Sequence, residues 1–339
     1  MMNFQEFKNK YLKTPVIEYP NKRSGKNAIL TVKVVTYNHA NYISECLNSI
    51  IMQQTNFDFE ILIAEDDSSD GTRDLCIKYA EKYPDKIKLL LNSRENNLTI
   101  NNKPSGTFNS VYANFSINSK YITMIEGDDY WMDVKSLQKR VNFLENNEDH
   151  VLCFHNSKVY DENLKKVTKD YLLNFKESIS FEKNKTLNLQ MPTSTLMYRN
   201  NLVELFDEKM IKIIHGDVIL KGKLAHFGKA RYIHEIKPSM YRVHDKGIYS
   251  GASVDDNIKG SVDARLYLLE YYKEKNWNIN LIYDNLANMF FVFFIKKIVK
   301  EKKIKINYLY TSFLYSKRSE FSFFKVLNFF IFRLKNYKF

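Results

Sequence analysis

Between residues 29 and 156, short β-rich runs alternate with stretches of helical periodicity, and few architectures accommodate that order. Residues 29–36 (ILTVKVVT) form the first run, after which Tyr42, Ile43, Cys46, Leu47, Ile50 and Ile51 recur at helical spacing. Further β-rich runs follow at 59–64 (FEILIA), 87–91, 121–125 (YITMI) and 151–156, with helical stretches at 73–83 and 135–146. The polar, Asn-rich segment 92–110 reads as a loop or a short helix. Strands alternating with helices predict an α/β fold whose central sheet is mainly parallel and covered on both faces.

Two acidic clusters stand at the carboxyl ends of predicted parallel strands, Glu65-Asp66-Asp67 after the second and Glu126-Gly127-Asp128-Asp129 after the fourth. Ligands of open α/β sheets bind outside those ends. Neither cluster is a glycine-rich phosphate cradle, since no GxGxxG or GxxxxGK[ST] is present. This argues against a dinucleotide-dependent dehydrogenase and a P-loop NTPase. A site that brings carboxylates to phosphate must neutralise both charges. A divalent cation does so, and carboxylate oxygens suit Mg²⁺ or Mn²⁺.

The segment VKVVTYNHANYISECLNSIIMQQTNFDFEILIAEDDSSDGT, then YITMIEGDDYW, then IIHGDVIL, resembles the A-type nucleotide-sugar-dependent glycosyltransferases of family 2. The likeness covers roughly residues 28–245 and implies a single Rossmann-like domain with a mainly parallel central sheet. It implies that Thr36, Tyr37, Asn38, Glu65 and Asp66 meet the nucleotide, and that Glu126 and Asp129 meet the nucleotide sugar. Asp128 falls on the metal and diphosphate position of the family's D-x-D signature, with Glu126 in place of the usual first Asp. His244, in YRVHDKGIYSG, matches an element that completes the metal or diphosphate site. Asp217, in His215-Gly216-Asp217, matches the catalytic base.

The implied reaction is an inverting transfer from a nucleoside-diphosphate sugar to a hydroxyl of a glycan or lipid-linked acceptor, in bacterial surface polysaccharide synthesis. Mn²⁺ or Mg²⁺ is the implied cofactor. One carboxylate takes the acceptor proton while the diphosphate departs from the opposite face. Plainer readings exist for the same residues. Asp66, Asp67 and Asp70 suit a turn and helix cap, and Asp217 suits a helix start. His39, His155, His215, His226 and His234 have no metal-ligand spacing and read as structural. Residues 191–198 suit either an acceptor-pocket lining or an ordinary strand, and Tyr130 and Trp131 suit either a sugar platform or the core. Two other functions fit parts of the pattern. They are a metal-dependent nucleotidyltransferase and a non-catalytic glycan- or membrane-binding module.

The net charge of +12 is concentrated at one end, since residues 296–339 hold twelve basic side chains against Glu301 and Glu320. The remainder is close to neutral, which disfavours a nucleic-acid partner. Residues 322–336 project as a basic amphipathic helix, suited to an anionic membrane surface or to packing on the main domain. The reading therefore divides the chain into an arm at 1–27, a transferase domain at 28–250 and a helical basic, aromatic region at 251–339. Cys46, Cys76 and Cys153 show no metal or disulfide spacing, and residues 1–15 contain no apolar leader core. The expected place is the cytoplasm, including the cytoplasmic face of the membrane.

Overall fold

The computed structural model describes residues 2–22, 28–100, 103–172, 175–187, 189, 191–200, 206–245, 247, 254–301 and 305–318. The chain divides into two compact units, Met1–Ala252 and Ser253–Phe339. The first opens with helix α1 (Phe4–Tyr11) and strand β1 (Ile17–Tyr19), then β2 (Leu30–Thr36), α2 (Ile43–Ile51), β3 (Phe59–Glu65), α3 (Thr72–Lys82) and β4 (Ile87–Leu91). A hairpin of β5 (Leu98–Ile100) and β6 (Lys103–Ser105) precedes α4 (Thr107–Phe115), β7 (Tyr121–Glu126), α5 (Ser136–Glu145) and β8 (His150–Phe154). The remainder is β9 (Ser157–Asp161), β10 (Lys166–Asp170), β11 (Ile179–Phe181), α6 (Lys183–Thr186), β12 (Met197–Arg199), α7 (Gly216–Leu224), β13 (Lys229–Tyr232) and β14 (Ser239–Val243).

Among the described residues the main sheet runs β1-β4-β3-β2-β7-β12-β8-β13-β11. Its core, β4-β3-β2-β7, is parallel, so the α/β class expected from the sequence is the class observed. β2 is buried along six of its seven residues, as befits a central strand covered on both faces. Lys33 is the exception to its apolar run. Its Nζ donates to Ser110 Oγ at 3.1 Å and Asn114 Oδ1 at 2.9 Å. Burial pushes that ammonium down to about 8, against the pull of the Glu126 charge.

Register is what assembles the site. Thr36 pairs with Glu65 across β2 and β3, and Val35 pairs with Glu126 across β2 and β7. Three strand ends with their polar turns therefore meet at one edge. A second sheet, β10-β9-β14, reaches that edge through Met240 and Tyr130, whose N–H groups donate to each other's carbonyls at 2.8 and 3.2 Å.

Two segments are more ordered than their sequence suggested. The arm carries a capped helix, with Asn3 Oδ1 and Glu6 Oε2 accepting reciprocal backbone bonds at 2.9 Å. Phe7 is buried against Phe108, and β1 pairs antiparallel with β4. One buried aromatic of this kind contributes about 2 kcal/mol, enough to hold a short helix to the sheet. The segment 92–110 folds as a 3₁₀ turn (Arg94–Asn96), the β5–β6 hairpin and the start of α4.

The second unit comprises α8 (Val254–Glu274), α9 (Asn280–Glu301) and α10 (Ile306–Lys317). Ser312 Oγ donates to the Ala287 carbonyl at 2.8 Å, and Phe290 stacks on Tyr315 at 5.7 Å, so α9 and α10 pair. The amphipathic helix expected over 322–336 lies outside the described residues. No described helix is long and apolar enough to cross a membrane.

Candidate active site

The turn after β2 is built to be rigid. Asn38 takes a left-handed conformation (φ 53°), its N–H donating to Ser68 Oγ at 2.9 Å and its Oδ1 accepting from Ser69 N at 3.1 Å. The next two N–H groups donate to Thr72 Oγ1 at 2.8 Å and Asp70 Oδ2 at 3.0 Å. Asn38 is thereby committed to the loop after β3. Glu65 is equally committed. Fully buried, it accepts from Ser68 N at 2.7 Å and Arg73 Nε at 2.6 Å. These bonds let Glu65 shape the loop after β3.

Asp66 is different. Only 2% exposed, it accepts at Oδ2 from Arg94 Nη1 at 2.8 Å and Asn97 Nδ2 at 2.9 Å, while Oδ1 has no partner. Burial pushes its carboxyl up to about 6, and the Asn97 bond and Arg94 charge pull against it. A buried oxygen without a donor costs about 1–3 kcal/mol. The Arg94 guanidinium also lies 3.9 Å from the Tyr37 ring centroid, so it stacks on that ring while bonding Asp66 Oδ2. Arg94 and Asn97 were not singled out from the sequence. They come from the Asn-rich loop, where no spacing distinguishes them from solvated neighbours.

The turn after β7 carries the second cluster. A Cβ on Gly127 would come within 2.5 Å of Thr36 Oγ1 and 2.9 Å of His39 Nδ1, so only glycine lets the two turns touch. Thr36 Oγ1 lies 3.2 Å from His39 Nδ1 and fixes the ring, which then presents Nε2 at 3.7 Å from Asp128 Oδ2. From β14, His244 Nε2 reaches the same oxygen at 3.0 Å. The ligand-capable atoms of His39, Asp128 and His244 all lie within 4.8 Å of one another. His39, read as structural from the sequence, thus joins the two residues expected to hold a metal. Spacing could not reveal it, because the ligands arrive from three separate elements.

Charge is unevenly shared among the acids here. Burial raises Asp128, but the His244 bond and the His39 charge outweigh it and hold the carboxyl below its usual value. Burial and the Asp128 charge push Glu126 up to about 7, with Asp217 adding to the rise and Lys33 opposing it. Asp129 is buried, pushed well up by burial and then by Asp128, and its Oδ1 accepts from Arg242 N at 3.0 Å. Asp129 is thereby tied to β14. Arg242 completes that tie. Its Nη1 donates to the Asp128 carbonyl at 2.6 Å, Nε lies 2.9 Å from Glu162 Oε1, and Nη2 bonds Glu45.

Asp217 occupies the first turn of α7, where the helix dipole favours an anion. Burial raises its carboxyl, yet Lys221 Nζ at 2.9 Å outweighs that and holds it below the usual range. Its side chain is about a third exposed, so the carboxylate remains accessible. Trp131 belongs to the core, 4% exposed with Nε1 donating to the Ser194 carbonyl at 2.7 Å. Residues 191–198 hold a 3₁₀ turn (Thr193–Thr195) and the start of β12.

Known proteins share this chain's fold and much of its sequence pattern. The amino-terminal structure of S. aureus TarS with UDP-GlcNAc covers 84% of this chain and 79% of its own, with TM-score 0.59 and 19% identity. It shares the fold. The sequence profile of glycosyl transferase family 2 matches residues 31–206, and the chain belongs to that family. Its class is that of the nucleotide-sugar glycosyltransferases. An uncharacterized glycosyltransferase of Nostoc sp. is 29% identical over 250 residues, 72% of this chain and 74% of its own. The poly(ribitol-phosphate) β-glucosyltransferase of Bacillus spizizenii is 23% identical over 242 residues, 71% of this chain and 32% of its own. An uncharacterized protein of Mycobacterium tuberculosis is 27% identical over 260 residues, 73% of this chain and 70% of its own.

Proposed function

We propose that this chain is an inverting, divalent-cation-dependent glycosyltransferase that moves a sugar from a nucleoside diphosphate to a hydroxyl of a bacterial surface glycan or its lipid-linked precursor. The convergence of His39, Asp128 and His244 beside the strand-end acids carries this reading. Asp128 is held ionised there, and Thr36 orients His39 from behind, the support that a ligating imidazole needs. A donor set of two imidazole nitrogens and one carboxylate suits Mn²⁺ better than Mg²⁺. A cation held by these three residues would act as a Lewis acid on the departing diphosphate.

The remaining steps belong to the chain itself. Asp66 accepts a base N–H, and the stacked pair of Tyr37 and Arg94 forms one wall beside the base. That acceptor, and the UDP-GlcNAc held by S. aureus TarS, favour a uridine diphosphate donor. Glu126, raised to about 7, bonds a donor hydroxyl in either protonation state. Asp217 takes the acceptor's O–H proton as the new C1–O bond forms and the C1–O bond to diphosphate breaks. Attack from the face opposite the leaving group inverts C1. The glucosyltransferase of B. spizizenii acts on poly(ribitol-phosphate), and that relationship supports a surface glycan as product.

Donor turnover and product stereochemistry test this. Asp217→Asn lowers kcat by about 10²–10⁴-fold while leaving donor affinity within about twofold. The product anomer, read by NMR, is opposite to that of the donor. Retention of configuration, or an active Asp217→Asn enzyme, contradicts the reading.

A further inference from the structure

Helix α10 buries one side and exposes another. Ser312 and Ser316 are buried, and Tyr315 packs against Phe290 and Tyr283 of α9. One turn apart on the open side lie Ile306, Tyr310 and Leu314, 66%, 59% and 41% exposed. At 100° per residue these three span less than a quarter of the circumference, and Lys317 falls within the same arc. Exposed apolar side chains in so regular a row mark an interaction face rather than scattered surface residues.

Charge decides what the face meets. The helix and its two flanking residues, 305–318, contain Lys305, Lys317 and Arg318 and no acid at all. The wider segment 296–339 has twelve basic side chains against two acidic. A protein partner with an apolar groove would not require that one-sided charge, whereas an anionic lipid surface does. A tyrosine midway along an aliphatic row suits the headgroup boundary, with its ring in the apolar layer and its hydroxyl in water. We propose that Ile306, Tyr310 and Leu314 of α10 seat this enzyme on an anionic phospholipid bilayer, with Lys317 and Arg318 at the headgroups. The contact is peripheral, since no described helix can span. It deepens the lipid-linked-acceptor reading above by bringing the chain to where such an acceptor resides, but it does not depend on the transfer chemistry.

Sedimentation of the full chain with vesicles tests it, comparing phosphatidylcholine alone with phosphatidylcholine containing phosphatidylglycerol. The wild type binds the anionic vesicles and not the neutral ones. Raising the salt weakens that binding. Ile306→Gln/Tyr310→Gln/Leu314→Gln lowers vesicle affinity at least tenfold with unchanged thermal melting and unchanged donor binding. Lys317→Gln/Arg318→Gln lowers it less and removes most of the salt dependence. The proposal is overturned if the triple variant binds as the wild type does, which would move the contact to another segment such as 319–339. It is also overturned if anionic vesicles bind no protein. A dimer in solution that only the triple variant dissociates would assign the face to a second copy and overturn it too. Loss of donor binding in the wild type would sink the transferase reading and leave this result untouched.

Discussion

Arg242 donates from Nη1 to the backbone carbonyl of Asp128 at 2.6 Å, two residues before His244 delivers Nε2 to the same residue's carboxylate at 3.0 Å. The end of β14 and the residue after it therefore fix both the peptide and the side chain of Asp128. Arg242 is itself restrained by Glu162 and Glu45 and by the rings of Tyr42 and Tyr130, 5.1 and 4.7 Å from its guanidinium.

Arg242→Met should consequently loosen the turn without removing a ligand. The expected result is a Kd for Mn²⁺ weakened by about 10–100-fold, the usual cost of losing a support behind ligating groups. Arg242→Lys recovers little, because one ammonium cannot replace two directed donors that point to the Asp128 carbonyl and to Glu45. Calorimetric Mn²⁺ titration checks both. An unchanged Kd in Arg242→Met would show that the turn holds itself.

Asp66 gives a pH prediction whose sign runs against the common acid case. Folding lifts its carboxyl from 3.8 to about 6 through burial, so the folded chain keeps a proton that the unfolded chain has lost between those values. Its contribution to stability is complete below about pH 4 and has gone once the pH passes about 6. Asp66→Asn should melt higher than wild type at pH 8 without ligand, by roughly 1–3 kcal/mol, and equally at pH 4. The same variant should no longer bind nucleoside diphosphate. Equal melting at pH 8 would mean the buried carboxylate carries no strain.

Much of this was visible in the sequence, and the remainder was hidden for identifiable reasons. Strand runs such as ILTVKVVT announce a buried parallel strand through their continuity, and the acidic turns after β3 and β7 announce the edge where ligands bind. His39 was hidden because its partners follow β7 and β14, strands of two different sheets far apart in sequence, and only the fold brings them together. Arg94 and Asn97 lie in a polar loop with no period to set them apart. The burial of Glu65 and Asp129 is illegible at strand ends, where acids serve equally as contacts and as loop supports. The arm's helix was missed because its apolar face is only Phe4, Phe7 and Tyr11, too short a pattern to stand out.

Lys221 should tune the base. With Nζ at 2.9 Å it holds Asp217 below the usual range against the opposing pull of burial. Lys221→Met removes that hold, so the Asp217 carboxyl rises and the acid limb of the kcat/KM profile moves to higher pH. Activity falls most at the acid end of the profile and least at alkaline pH, where Asp217 is ionised in both proteins. A uniform loss across all pH values would instead assign Lys221 to acceptor binding.

The most direct test of the account is calorimetric titration with UDP, GDP, CDP and dTDP, with and without Mn²⁺, in wild type, Asp128→Asn and His39→Ala. The account predicts that Mn²⁺ tightens binding of one nucleotide, UDP, at least tenfold, and that both substitutions abolish the gain while leaving weak metal-free binding. Equal affinity with and without Mn²⁺, or a gain that survives Asp128→Asn, would contradict a metal site at His39, Asp128 and His244.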